Sequence, residues 1–373
     1  MEVDYSGDIM TLNMGPQHPS THGVLRLVLK TDGEIVADAV PHIGYLHRCF
    51  EKHVEDVDYA GVIPFTDRMD YCAAMNMEQG YVLAVEKLMG IEVNDRVRYL
   101  RIIMAELSRI ASHLIAAGTY GNDIGSFTPF LWCFRDREKI LDFFEETCGA
   151  RLLYNYHWVG GLMYDIKPGM EQKIVEFIDY FEPQVDNLNR LLSDNYIFIQ
   201  RTANVGIMSP ETAISYGVTG PNLRGSGVQF DVRKDEPYLG YEELEFEVPV
   251  GKGEHGPVGS CWDRYMVRIR EVKESCKIIR QAVPRLTPGD VRENVPKRVK
   301  PPAGEVYMRT EAPRGELGYY IVSDGSLKPY RLKVKSPCFT VMSAFREVSR
   351  GAMIADIISI LGSFDIVLGE IDR

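Results

Sequence analysis

The 373-residue chain is 45% hydrophobic and 25% charged, enough apolar content to bury one large core or two closely packed ones. Its formal net charge of −11 argues against free nucleic acid as a partner and against a direct grip on an anionic membrane surface. The N-terminal Met1-Glu2-Val3-Asp4 is acidic, with none of the apolar core of a secretory signal. The longest greasy stretch, 354–368, is interrupted by Asp356, Ser359, Gly362, Ser363 and Asp365, short of the ~18 unbroken apolar residues of a spanning helix. A soluble protein is expected, or one that docks on a membrane through other chains.

The first 40 residues read as β. Runs 24–29 and 35–40 flank Thr31-Asp32-Gly33-Glu34, and an Asp-Gly turn between such runs predicts a hairpin. The middle is helical. Leu100, Ile103, Leu107, Ile110 and Leu114 repeat at 3-4-3-4 spacing behind Asn94 or Asp95 as a cap. A second helix spans 130–147 and stops at Gly149; a third runs over 170–192 with a bend expected at Pro183. A fourth covers 263–283, closed by Pro284, and residues 218–260 before it are rich in Gly and turn formers. Residues 304–340 return to β, with runs 319–322 and 330–334 about a Gly/Ser turn, and 352–361 is helical again. Strands at both ends of a helical middle predict an α+β fold in one domain. It divides into a β-rich lobe 1–60, a bundle of long helices 61–300 with the irregular 218–260 insert, and a β hairpin with a C-terminal helix over 301–373.

Seven cysteines (Cys49, Cys72, Cys133, Cys148, Cys261, Cys276, Cys338) contain no CxxC and no pair closer than fifteen residues. This pattern excludes a locally ligated zinc or iron–sulfur site and a disulfide scaffold, leaving free thiols in a reducing compartment. Five of eight histidines fall within 18–53. Their spacing fits no zinc motif, Pro19 prevents a helical His18/His22 pair, and no metal is expected; His42, His47 and His53 read as structural. Residues 251–256 fit G-x-G-x-x-G, but Glu254 would face a pyrophosphate, Pro257 follows at once, and no βαβ unit surrounds it, so a loop is expected. The polar loop 15–23, opening into a strand and carrying His18 and His22, is the better functional candidate, since loops on rigid scaffolds carry function.

That loop, Gly15-Pro16-Gln17-His18-Pro19-Ser20-Thr21-His22-Gly23 continuing to Arg26, resembles the signature of the 49 kDa-type subunit of respiratory complex I. So do Pro41-His42-Ile43-Gly44-Tyr45-Leu46-His47-Arg48, Arg68-Met69-Asp70-Tyr71, the run from Glu106 to Leu114, Arg314-Gly315-Glu316-Leu317-Gly318, and the final Leu368-Gly369-Glu370-Ile371-Asp372-Arg373. The resemblance spans the whole chain. It implies the fold of the nickel–iron hydrogenase large subunit, with the lobe 1–60 at a quinone site. In hydrogenases a C-terminal Cys-x-x-Cys holds the metal; Val367 and Glu370 stand in the similar place, and without soft thiolates no nickel–iron centre can form.

The resemblance further implies quinone binding in the vacated cavity. Two-electron, two-proton reduction of a quinone needs donors aimed at its carbonyl oxygens. His22 and Tyr71 match the family's two headgroup ligands, Asp123 matches the carboxylate partner of that histidine, and Val367 matches a cavity-wall position. Arg48 and Arg68 match arginines near a 4Fe–4S cluster that a partner subunit carries; positive charge there raises the cluster's potential. The chain itself would bind no cofactor, with NAD and FMN elsewhere in the complex. Implied partners are the 4Fe–4S-carrying subunit, a 30 kDa-type subunit and a membrane subunit forming the channel for ubiquinone or menaquinone. Implied location is peripheral, on the cytoplasmic side of the bacterial inner membrane. Two departures stand out. Leu153 occupies the place of a histidine thought to make the cluster's potential depend on pH, and the stretch from Pro296 to Gly304 lacks a helical insertion found in longer members.

The expected function is therefore that of the quinone-site subunit of a proton-translocating NADH:quinone oxidoreductase. Two rivals are the same role with a ferredoxin or deazaflavin donor, and an inert assembly scaffold.

Overall fold

The computed structural model describes residues 2–6, 9–17, 23–296 and 298–373, with residues 2–6 as backbone alone. Strands β1 (Glu2–Ser6), β2 (Ile9–Met14), β3 (Arg26–Asp32) and β4 (Ile35–His42) form an antiparallel meander in sequence order. The Asp-Gly signal is sound: Asp32 pairs with Ile35 across a two-residue turn, after a bulge at Lys30/Thr31. Leu27 and Leu29 point to the core, as strand alternation requires.

Helices α1 (Phe50–His53) and α2 (Tyr59–Thr66) lead to α3 (Ala74–Met89), then α4 (Asp95–Asp123) and α5 (Phe127–Cys148). Asn94 accepts the Val97 N–H and starts α4 as expected; Gly149, at φ 79°, closes α5 in a left-handed cap. Short strands β5 (His157–Trp158) and β6 (Gly161–Leu162) precede α6 (Met170–Leu188). Pro183 lies inside α6, and the expected run to 192 finishes as a π-helical turn over Asn189–Ser193. The 218–260 region, preceded by α7 (Tyr196–Thr202) and α8 (Pro210–Ser215), holds the brief helices α9 (Gly220–Gly225) and α10 (Val232–Asp235). Residues 251–256 are irregular, held by the Asp263 carboxylate, which accepts from the Lys252, Gly253 and Gly259 N–H groups.

Next come α11 (Cys261–Ala282) and the antiparallel sheet β7 (Gly304–Ala312), β8 (Gly315–Ser323) and β9 (Arg331–Lys335). The chain ends with α12 (Pro337–Ser349), α13 (Ile354–Phe364) and α14 (Leu368–Asp372). Two sequence expectations need correction. The β region stops at Lys335, because Ser336 accepts the Phe339 N–H and Pro337 is preorganised for a first helical turn. Helix α3 has no counterpart among the expected helices because it is buried nearly all round, which leaves no apolar stripe to detect.

The mixture of helices and antiparallel sheets is an α+β architecture. A large core joins α4, α5, α6, α11, α12 and α13 to the inner face of the N-terminal sheet. A smaller core lies between α2, α3 and the sheet β7–β9. Buried ion pairs bind the two. Arg101 on α4 forks onto Glu86 on α3 at 2.7 and 2.8 Å. Arg224 joins Glu271 on α11 to Glu311 on β7. Glu106 accepts from Arg233, Tyr241 and Ser275. Removing one partner of such a pair strands a buried charge and costs about 3–5 kcal/mol, so the inter-element geometry is tightly specified.

Candidate functional site

Tyr71 sits in the turn between α2 and α3, 41% exposed. Among the described residues its hydroxyl makes no hydrogen bond, and partial burial pushes its pKa up, so it is a neutral O–H donor with no acceptor of its own. The residue before it anchors the turn. Asp70 is fully buried, accepts from Arg314 at 2.6 Å, and caps the turn through the Cys72 N–H. Arg314, at the β7–β8 turn, also donates to Ser112 on α4 and to the backbone and carboxylate of Asp365.

The C-terminal segment forms the wall beside Tyr71. Val367, 5% exposed, is the N-cap of α14, and its side chain carries no polar atom. Gly369 approaches so closely that a Cβ there would lie 2.7 Å from the Met69 carbonyl oxygen and 3.5 Å from the Tyr71 ring. A Cβ on Gly23, where the described chain resumes, would lie 3.3 Å from Leu368. The tail also binds the 41–48 motif: the Asp372 carboxylate accepts the Gly44 and Leu46 N–H groups, and the Arg373 carbonyl accepts that of Arg48. His47 bonds through Nδ1 to the Asp372 carbonyl, and His53 stacks on Phe65.

Asp123, the last residue of α4, faces α13, where a Cβ on Gly362 would lie 3.2 Å from its Oδ2. Tyr120, one turn earlier, bonds its hydroxyl to Ser359 of the same helix. Asp123 and Tyr71 therefore border one continuous segment, from Gly362 on α13 to Gly369 on α14. His22 lies outside the described residues, as does His18.

Arg48 and Arg68 come together. The Arg48 guanidinium donates to the Arg68 carbonyl, and Arg68 donates to the Pro64 carbonyl. Both are exposed and, among the described residues, neither makes an ion pair. Leu153 holds the left-handed conformation, φ 61°, unusual for leucine, two residues before Asn155 at φ 49°.

Sequence reasoning missed the charged backing of the site. Arg314 bridges Asp70 and Asp365, partners 244 and 51 residues away, which no local spacing reveals. Glu370 is completely buried, with no cation paired to it among the described residues, beside the Cys338 thiol and the Ser336 hydroxyl. Burial, and then the Asp70 charge, pushes its pKa up to about 7. Among the described residues no cluster of three or more His, Cys, Asp or Glu could hold a metal ion, and no helix is long and apolar enough to cross a membrane.

Residues 123–373 match the family model of the respiratory-chain NADH dehydrogenase 49 kDa subunit. The chain is 55% identical over 377 residues to an NADH-quinone oxidoreductase subunit of Chlorobium luteolum, covering 100% of this chain and 95% of that one. The like-named protein of Chlorobium phaeovibrioides is 56% identical over 378 residues and that of Prosthecochloris aestuarii 55% over 377, each covering 100% of this chain and 94% of the relative.

Proposed function

The chain belongs to the family of the 49 kDa subunit of respiratory-chain NADH dehydrogenase, and on that premise we propose that it is the quinone-site subunit of an NADH:quinone oxidoreductase. The observation that carries this reading is Tyr71: a half-exposed, neutral phenol whose pKa burial pushes further up, with no acceptor among the described residues, in a turn anchored by the Asp70–Arg314 pair and packed against Gly369. Such a donor suits a quinone carbonyl oxygen on which negative charge develops. His22 would bind the second carbonyl and supply a proton as imidazolium, with Asp123 favouring its charged form. The apolar Val367 would line the ring face.

Electrons would come from a 4Fe–4S cluster in a partner subunit. Arg48 and Arg68, two exposed cations with no ion pair among the described residues, form a face that suits an anionic cluster. A 30 kDa-type subunit and a membrane subunit holding the quinone channel would complete the surroundings. The placement would be peripheral, on the cytoplasmic side of the inner membrane, with proton translocation performed by the assembly. The fold would be that of the hydrogenase large subunit without its metal.

The test is Tyr71→Phe in the native assembly, purified through a tag on this chain. The expected result is quinone reduction lowered at least about tenfold with assembly intact and NADH oxidation by an artificial upstream acceptor unchanged. Full quinone reduction by that variant would refute the assignment; reduction driven by ferredoxin and not by NADH would move the same site to another complex.

A further inference from the structure

Two acids, one of them in the same α2–α3 connection as Tyr71, are buried together without an ion-pair partner among the described residues. Asp67 follows α2 and Glu78 lies on α3; both are wholly inaccessible. Among the described residues neither carboxyl forms an ion pair. Each spends one oxygen on the same stretch of backbone: Asp67 Oδ2 accepts the Asn155 N–H at 3.0 Å, and Glu78 Oε2 accepts those of Tyr156 and His157 at 2.8 and 2.7 Å. The other two oxygens, Asp67 Oδ1 and Glu78 Oε1, have no donor among the described residues, yet the two carboxyls lie within hydrogen-bonding reach of each other. Two carboxylates in that position would leave two buried acceptors unsatisfied and two like charges in contact. One proton between them removes both costs.

We propose that Asp67 and Glu78 form a one-proton site, a carboxyl pair that shares a single proton and thereby clasps the 153–157 segment to α3. The proton lets one carboxyl donate to the other, so every carboxyl oxygen has a partner and the pair carries one negative charge, which the three N–H groups stabilise. The clasp answers a local need. Leu153 and Asn155 stand in the left-handed region, a conformation that persists only where surroundings over-determine it. The groups facing the pair do not supply a substitute counter-ion. Arg68 is a cation that acts on Asp67, but its guanidinium donates to the Pro64 carbonyl; Cys148, Tyr154, Tyr156 and Tyr319 are neutral, and His157 is held uncharged by burial.

Burial raises the pKa of both acids, and the titration belongs to the pair as a unit. A folded pKa above the unfolded one means that the stabilisation is fully present below the unfolded value and is lost as pH rises through the folded one. The clasp is closed at acid pH and loosens as pH rises through the pair's raised pKa. This inference concerns the fold of the 153–157 segment and does not depend on the quinone reading.

Hydrogen exchange on the intact native complex tests it. As pH rises from the ordinary carboxylate range to the pair's raised pKa, the amides of Asn155, Tyr156 and His157 should exchange faster than their intrinsic base-catalysed rise, by up to about tenfold per pH unit, and the excess should level off above that pKa. In Glu78→Gln or Asp67→Asn an amide replaces the shared proton at every pH, and that excess slope should vanish. Infrared spectra of the unsubstituted complex give an independent reading: a buried protonated-carboxyl band that persists above the ordinary carboxylate range, absent from both variants, supports the pair. Wild-type exchange that follows only the intrinsic slope, or no such band, overturns the proposal.

Discussion

Replacing Arg314 by methionine keeps most of the side-chain volume and removes the cation on which Asp70 depends. Arg314 is the ion-pair partner of Asp70, at 2.6 Å, whereas Asp365 retains Arg268 at 3.7 Å, so the loss falls mainly on Asp70. An uncompensated buried carboxylate costs about 3–5 kcal/mol, and the lower end applies because Asp70 can take up a proton. About 3 kcal/mol is roughly a hundredfold in an opening equilibrium. Hydrogen exchange in the assembled complex reads this directly at Cys72, whose N–H bonds to Asp70 Oδ1, and at Ala73, whose N–H bonds to the Asp70 carbonyl. Burial already pushes the Asp70 carboxyl up, and losing Arg314 pushes it further. Stability tied to a raised folded pKa is lost as pH rises through it, so the defect should be worst at alkaline pH and shrink on acidification. Arg314→Met combined with Asp70→Asn should recover much of the loss at neutral pH. An exchange increase below about threefold in Arg314→Met, or a defect that grows on acidification, would show that the ion pair does not hold the Tyr71 turn.

Glu370→Gln removes a buried acid whose pKa is pushed from 4.5 to about 7. The variant should match the parent at acid pH and gain up to roughly 3 kcal/mol above neutrality, read as slower exchange of α14 amides at alkaline pH. Gly369→Ala forces a Cβ to within 2.7 Å of the Met69 carbonyl and should cost about 1–3 kcal/mol by moving the Tyr71 turn against α14. Steady-state kinetics should show impaired quinone reduction with NADH oxidation by an upstream acceptor unchanged. On the proposed reading, in which Leu153 stands where a titratable group would face a partner's 4Fe–4S cluster, that cluster should have a potential nearly independent of pH around neutrality; Leu153→His should introduce a slope of up to about 59 mV per pH unit in a potentiometric titration.

Local chemistry was enough to place several elements. Asn94 and Gly149 mark the start of α4 and the end of α5 because capping is settled within a turn of the chain, and the Asp32-Gly33 hairpin follows from two residues. The long motifs around Tyr71, Arg48, Arg68 and Val367 were legible as a family signature, and the two arginines do meet in space. Helix α3 was invisible because burial on every side erases periodicity, and the α12 boundary was misread because β-like composition runs up to a serine that caps a helix. What surrounds the candidate site came from tertiary structure alone. Arg314 reaches Asp70 and Asp365, Glu370 is enclosed beside Cys338, and Asp67 and Glu78 converge on one backbone segment. These contacts join residues from 11 to 244 positions apart through the packing of α3, α4, α14 and the β7–β8 turn. A titratable group takes its pKa from its burial and its neighbours, and the fold sets both.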